Sequence, residues 1–194
     1  MEQAELKNLP TEEKILYGTR SALAQYGLGN LSMIDISRAA GVSKATLYRH
    51  FPTKDAVLNA FCLWEEKNFC DNLSREMAQA DPADRFSVLI AHSSTLSRDH
   101  PAFMRMLESD PAFVLSAMRT LYPTVKDHLY TLLIPVIENV IGDGEQDISV
   151  EQLTHCFVRI LITSYLFPDE PGESTEGALR ALFQKVSGSS ISDQ

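Results

Sequence analysis

The amino-acid sequence predicts an all-α protein, and three observations carry that expectation. Apolar residues recur at three- and four-residue spacing along most of the chain, prolines stand where helices would begin, and no segment alternates apolar and polar residues long enough to make a strand.

The elements follow in order. A first helix is expected from about Thr11, read as its N-cap, to Tyr26, with Ile15, Leu16, Thr19, Ala22 and Leu23 turned inward and Gly27 as a left-handed stop. A short second helix starts at Ser32, which stands three residues before Asp35 in capping-box spacing, carries Met33, Ile36 and Ala40 on one face, and ends at Gly41. Ser43 caps a third helix that runs to Phe51. Pro52 stops it, and Thr53 caps a long fourth helix whose stripe of Val57, Leu58, Phe61, Trp64, Phe69, Leu73 and Met77 reaches about Ala80. Asp81-Pro82 and Asp110-Pro111 each set a capping carboxylate before a proline at a first helical position, and Pro101 opens another helix after Asp99 or His100. A separate helix is expected over Tyr122 to Ile141, kinked at Pro135 because that residue lacks the N–H that would bond the Thr131 carbonyl, and closed at Gly142 to Gly144. Ser149 with Gln152 makes a second capping box before an apolar helix to about Phe167. A last helix begins near Ser174, and the tail from Ser187 is expected to be disordered.

With 194 residues the chain is long enough to bury a sizeable core, and no apolar run approaches the length of a bilayer span. The polar, acidic N-terminus lacks the pattern of a secretory signal, and the three cysteines Cys62, Cys70 and Cys156 are odd in number with no ligand spacing, so a cytoplasmic location is expected. The net charge of −9 looks wrong for a nucleic-acid binder until it is divided along the chain. Residues 1 to 60 carry a net +1, the rest −10, and between Ser32 and Lys54 four cations (Arg38, Lys44, Arg49, Lys54) face only Asp35. A positive patch on an acidic body orients a molecule towards a polyanion.

The stretch from Leu31 to Lys54 has the logic of a helix-turn-helix. Small Ala39 and Ala40 let two short helices approach, Gly41 supplies the turn, Val42 plugs the junction, and Leu47 and Phe51 bury the inner face of the second helix. The outer face is then Lys44, Ala45, Thr46, Tyr48, Arg49 and His50, the cations, hydroxyls and short side chains that reach phosphates and base edges. Nothing points to catalysis: there is no phosphate-cradling glycine loop, nucleophile elbow or paired-cysteine motif. Nor is a metal or cofactor indicated, since His92, His100, His128 and His155 are too scattered for the paired spacing of a helical zinc site.

Over Leu9 to Glu66 the chain resembles the tetracycline-repressor (TetR) family, whose DNA-binding module has a stretch like Ala40-Gly41-Val42-Ser43-Lys44-Ala45-Thr46-Leu47-Tyr48 followed by an aromatic and a lysine like Phe51 and Lys54. The resemblance implies a homodimer that binds double-stranded operator DNA, usually as a repressor released by a ligand. It implies that Ser32 and Ser43 offer hydroxyls and helix N-termini to phosphates, Tyr48 its phenol and Lys54 its ammonium, while Lys44, Ala45, Thr46 and Arg49 face the bases. Arg49 suits bidentate binding of guanine, and phosphate contact is an equal alternative. Residues 9 to 66 are then the DNA-binding domain and 67 to 188 a ligand-binding and dimerisation domain.

Two expectations concern the chain beyond the helix-turn-helix. Aromatics and methionines suit a deformable apolar pocket, and Trp64, His92, Phe103, Met104 and Met106, with Met118, Tyr122, Tyr130, Phe157 and Tyr165, are its candidate lining for a small apolar ligand. Leu153, Phe157, Ile160, Leu161 and Ser164 on the penultimate helix, with Leu179, Leu182, Phe183 and Val186 on the last, are candidates for the dimer interface. A regulator that needs no ligand is compatible with the same sequence.

Overall fold

The computed structural model describes residues 8–141, 149–167, 169 and 172–186, apart from the side chains of 93–99, 139–141, 165 and 186. Among these residues the chain is helical without strands: α1 (Thr11–Asn30), α2 (Met33–Ala39), α3 (Lys44–His50), α4 (Lys54–Gln79), α5 (Arg85–Asp99), α6 (Pro101–Ser109), α7 (Pro111–Ile141), α8 (Val150–Leu166) and α9 (Thr175–Val186). The expected ends at Gly142 to Gly144 and beyond Ser187 lie outside the described residues. No described helix is long and apolar enough to cross a membrane.

Most helix starts are set by a side chain three residues away. Ser32 and Ser149 each form a full capping box, with Asp35 and Gln152. Ser43 accepts from the Thr46 N–H, Thr53 from Ala56, and Asp110 from Phe113. His100 caps α6, its Nδ1 accepting the Phe103 N–H at 3.1 Å. Three expectations are corrected. Thr11 is the first helical residue and no cap, because Pro10 holds the N-cap position and its carbonyl takes the Lys14 N–H. Asp81-Pro82 opens a tight turn closed by the Asp84 N–H on the Asp81 carbonyl, so α5 begins three residues later at Arg85. The helix expected from Tyr122 is the second half of α7, which runs from Pro111 through Pro123 and Pro135. Burial of Val114, Leu129, Leu133, Val136 and Ile137 along it outweighs the missing proline bonds.

The chain divides into two compact units, to both of which α4 and α7 contribute. The first takes its described residues from Met1–Asn68 and His100–Leu121. Its core is Ile15, Leu16, Leu23, Ile36, Leu47, Val57, Leu58 and Phe61, with Met106 of α6, which packs along α1. The second takes its described residues from Phe69–Asp99 and Tyr122–Gln194. There α5 packs on α8 and α9, and Phe86 stacks on Phe183 (centroids 3.6 Å apart) while meeting the edge of Phe157 at 5.1 Å.

Candidate nucleic-acid interface

The short helix α3 is held by what lies beneath it. Leu47 is fully buried and Phe51 nearly so, while Gly41 turns the chain at φ 65°, a left-handed conformation that a side chain would strain. The Val42 N–H bonds the Ser37 carbonyl at 3.1 Å, which locks the turn. Beneath α2 the fit to α1 depends on a glycine: a Cβ on Gly18 would lie 2.5 Å from the Cβ and backbone nitrogen of Ala40. Ala40 is thus the small residue where α2 approaches α1, a different contact from the approach of α2 and α3 expected from its size. Its partner Gly18, a glycine in mid-helix, is the one sequence signal for the contact.

Outward, Lys44, Ala45, Arg49 and His50 are exposed and Tyr48 is 42% exposed. The Lys44 ammonium sits 5.8 Å from the Tyr48 ring, close enough for a weak cation–π contact that leaves it solvated. Thr46 is half-buried, its hydroxyl 2.8 Å from that of Ser43, so both hydroxyls serve the start of α3 as well as its surface. Ser32 is exposed at the start of α2 with its hydroxyl on Asp35. That hydroxyl, with the Ser32 N–H and Arg38, holds the Asp35 carboxyl below its ordinary range, so Asp35 is an anion already paired with α2's first turn and with Arg38 at 3.2 Å. Lys54 is half-buried, and its Nζ donates to the Leu28 carbonyl at 2.7 Å. The structure thus gathers all nine candidate DNA contacts on the α2–α3 segment and the first residue of α4.

Sequence reasoning missed the residues that brace this module. Arg20 of α1 gives Nε and Nη2 to the two carboxylate oxygens of Glu65, each at 2.7 Å, and its guanidinium lies 4.6 Å over the Trp64 ring, which meets Tyr17 edge-on. No pattern in the chain announces a pair 45 residues apart.

The candidate pocket residues divide between the two units. Trp64, Phe103, Met104, Met106 and Met118 belong to the first, and His92, Tyr122, Tyr130 and Phe157 to the second; the Tyr165 side chain lies outside the described residues. Several already have partners: Trp64 the Arg20 clamp, His92 the Glu76 carboxylate at 2.9 Å and the Phe69 ring, Phe157 the Phe86 cluster. A groove of about 350 Å³ in the first unit has a different lining, chiefly Asn59, Cys62, Leu63, Phe113 and Leu121. Among the described residues no cluster of His, Cys, Asp or Glu is placed to hold a metal.

On α8 and α9, Phe157, Leu161 and Leu179 are buried within the chain itself, and Phe183 is stacked on Phe86. Leu153 and Ser164 are half-buried, whereas Ile160 and Leu182 are 38% and 52% exposed; the Val186 side chain lies outside the described residues.

The family described as bacterial regulatory proteins, tetR family, matches residues 15–61, the span from mid-α1 to the buried Phe61 of α4. An uncharacterized HTH-type transcriptional regulator of Mycobacterium tuberculosis is 26% identical over 172 residues, covering 88% of this chain and 82% of its own. Among solved structures, a TetR transcription regulator from Haloarcula marismortui superposes with a TM-score of 0.67 at 22% identity, covering 92% of this chain and 95% of that one. The transcriptional regulator FadR from Bacillus subtilis, in complex with stearoyl-CoA, does so with a TM-score of 0.58 at 14% identity, covering 90% and 97%. These structural likenesses extend the shared fold well past the matched N-terminal stretch.

Proposed function

Because the chain belongs to the TetR family of transcriptional regulators, we propose that it works as a homodimeric repressor whose α3 enters the major groove of an operator and whose release is driven by a small apolar ligand. The observation that carries the DNA reading is the set of exposed side chains Lys44, Ala45, Tyr48, Arg49 and His50 on one short helix braced by buried Leu47. Cations on that surface neutralise phosphates, and the short side chains between them let the helix approach base edges. The +3 balance from Ser32 to Lys54 on an otherwise acidic chain aims this segment, and not the rest, at the duplex.

The exposed Ile160 and Leu182 on α8 and α9 support dimerisation through these helices, which sets two copies of α3 about one helical turn of DNA apart, roughly 34 Å, over a near-palindromic site. Ligand release rests on the chain's apolar aromatics and methionines and on the FadR relative, whose structure holds stearoyl-CoA. A ligand releases DNA only by binding the DNA-incompetent state more tightly than the competent one. A cytoplasmic regulator of this kind uses no catalytic group and no metal.

The test is selection of duplexes from a random library at low salt, followed by titration of the winning sequence against salt. The expected result is a near-palindromic site whose affinity falls steeply and log-linearly with salt. Failure of the protein to retain any duplex at low salt overturns the reading. Addition of small apolar compounds to the complex, with acyl-CoA thioesters as the larger anionic comparison, then tests release.

A further inference from the structure

We propose that Ser109, at the end of α6, is a positioning residue for DNA binding: it holds the Lys54 ammonium in place through the two peptide groups of Leu28. The inference rests on the reading that Lys54 contacts a DNA phosphate. Its starting point is a break in α1. Gly27 takes φ 68°, ψ 168°, outside the helical range, so α1 kinks there. At the kink the Leu28 N–H donates to Ser109 Oγ at 3.0 Å.

The serine hydroxyl is not free to turn away. It donates its proton to the Arg105 carbonyl at 2.7 Å, within the last turn of α6, which leaves its lone pairs for Leu28. The approach is close: a Cβ on Gly27 would stand 3.3 Å from Ser109 Oγ, a tight contact, and the left-handed backbone angle there favours glycine. With its N–H anchored, its side chain buried and its carbonyl also accepting the Leu31 N–H at 3.4 Å, Leu28 presents that carbonyl in one orientation. That carbonyl accepts from Lys54 Nζ at 2.7 Å.

The choice of partner matters for function. A carboxylate would hold the ammonium equally well but would cancel its charge; a carbonyl fixes the nitrogen in place and leaves the full positive charge and two N–H donors for an incoming phosphate. A lysine held in advance loses less side-chain freedom on binding than one that swings in solvent, and that loss is what weakens a contact made by a long flexible chain. Ser109, 55 positions along the chain from Lys54, thereby acts on the DNA surface without touching it.

The experiment is a double-mutant cycle on duplex binding, using the full chain and the operator selected for the wild type. Ser109→Ala is expected to weaken binding by roughly two- to tenfold, the range set by ordering one long side chain. Ser109→Thr, which keeps the hydroxyl, is expected to bind like the wild type. Lys54→Ala is expected to weaken binding and lower the salt slope by about one, and in that background Ser109→Ala is expected to have no further effect. Equal loss from Ser109→Ala in both backgrounds overturns the inference, as does wild-type affinity in Ser109→Ala while Lys54→Ala is weak. Should Ser109→Ala fail to fold, Ser109→Cys keeps the volume with a poorer acceptor and runs through the same cycle. Wild-type binding by Lys54→Ala removes the phosphate contact and the inference with it, whereas loss of all duplex binding by the wild type is the separate failure of the DNA reading.

Discussion

Arg20 on α1 and Glu65 on α4 form a two-pronged ion pair, Nε to Oε1 and Nη2 to Oε2, each at 2.7 Å. A third group joins from α6, where His100 Nε2 lies 3.2 Å from Glu65 Oε2, within charge-pairing reach though off the hydrogen-bond line. One carboxylate therefore ties three helices of the first unit together.

Burial pushes the Glu65 carboxyl up, but His100 and Arg20 outweigh it and hold the group below the ordinary glutamate value of 4.5. A folded-state value below the unfolded one means that the pair's contribution is complete above about pH 4.5 and is lost as pH falls through the folded-state value. Glu65→Gln is expected to cost about 1–3 kcal/mol at neutral pH, the range for a charged hydrogen bond whose partner is left behind. Chemical denaturation across pH checks it: the variant's stability is expected to fall less than that of the wild type below about pH 4.5. Parallel curves would assign the acid sensitivity to other carboxylates.

Gly18→Ala sets two effects against each other. In an open helix the change gains about 1 kcal/mol, but here the new methyl meets Ala40 backbone atoms at 2.5 Å and 2.6 Å, and backbone cannot swing aside as a flexible side chain does. Overpacking is expected to win, giving a net loss of about 1–3 kcal/mol and weaker operator binding as α2 is pushed from α1. A higher melting temperature for the variant would show that the two helices separate without cost.

Arg49 and Lys44 are both exposed on α3. If Arg49 reads a base, Arg49→Ala costs about 1–3 kcal/mol on the operator and relaxes specificity at one position, with little loss on random duplex. Equal losses on both duplexes assign it to phosphate. Competition binding with operator and scrambled DNA at one salt concentration measures the difference.

Substitutions on α8 and α9 separate surface from core. Ile160→Asp with Leu182→Asp changes only exposed apolar side chains and is expected to shift sedimentation to the 21.6 kDa protomer with the helical fold retained. Leu179→Ala, at a buried position, is expected instead to cost about 2–5 kcal/mol of stability. A dimer unchanged by the double substitution would move the interface elsewhere.

Much of this was legible in the sequence because its causes are local. A cap acts over three residues, so Ser32, Ser43, Thr53, Asp110 and Ser149 announced α2, α3, α4, α7 and α8, and the residue types of α3 announced an exposed surface of cations and hydroxyls. Where local signals competed, the sequence misled: Asp81-Pro82 has the composition of a helix start and makes a turn, and the helix start expected at Tyr122, beside Pro123, lies inside α7. Packing of a long apolar stripe overrode the proline there.

The sequence by itself determined the helical class, the places where most helices begin, and the chemistry that α3 offers, since all three depend on neighbours a few residues away. The tertiary structure alone decided which residues brace that surface: Gly18 against Ala40, Arg20 on Glu65, and Leu28 between Ser109 and Lys54. It also decided that Phe157 and Phe183 close on Phe86 within the chain, while Ile160 and Leu182 remain exposed. Such contacts join residues 22 to 97 positions apart, and no periodicity reaches that far; they exist only once burial of the cores has brought α1, α4 and α6, or α5, α8 and α9, side by side.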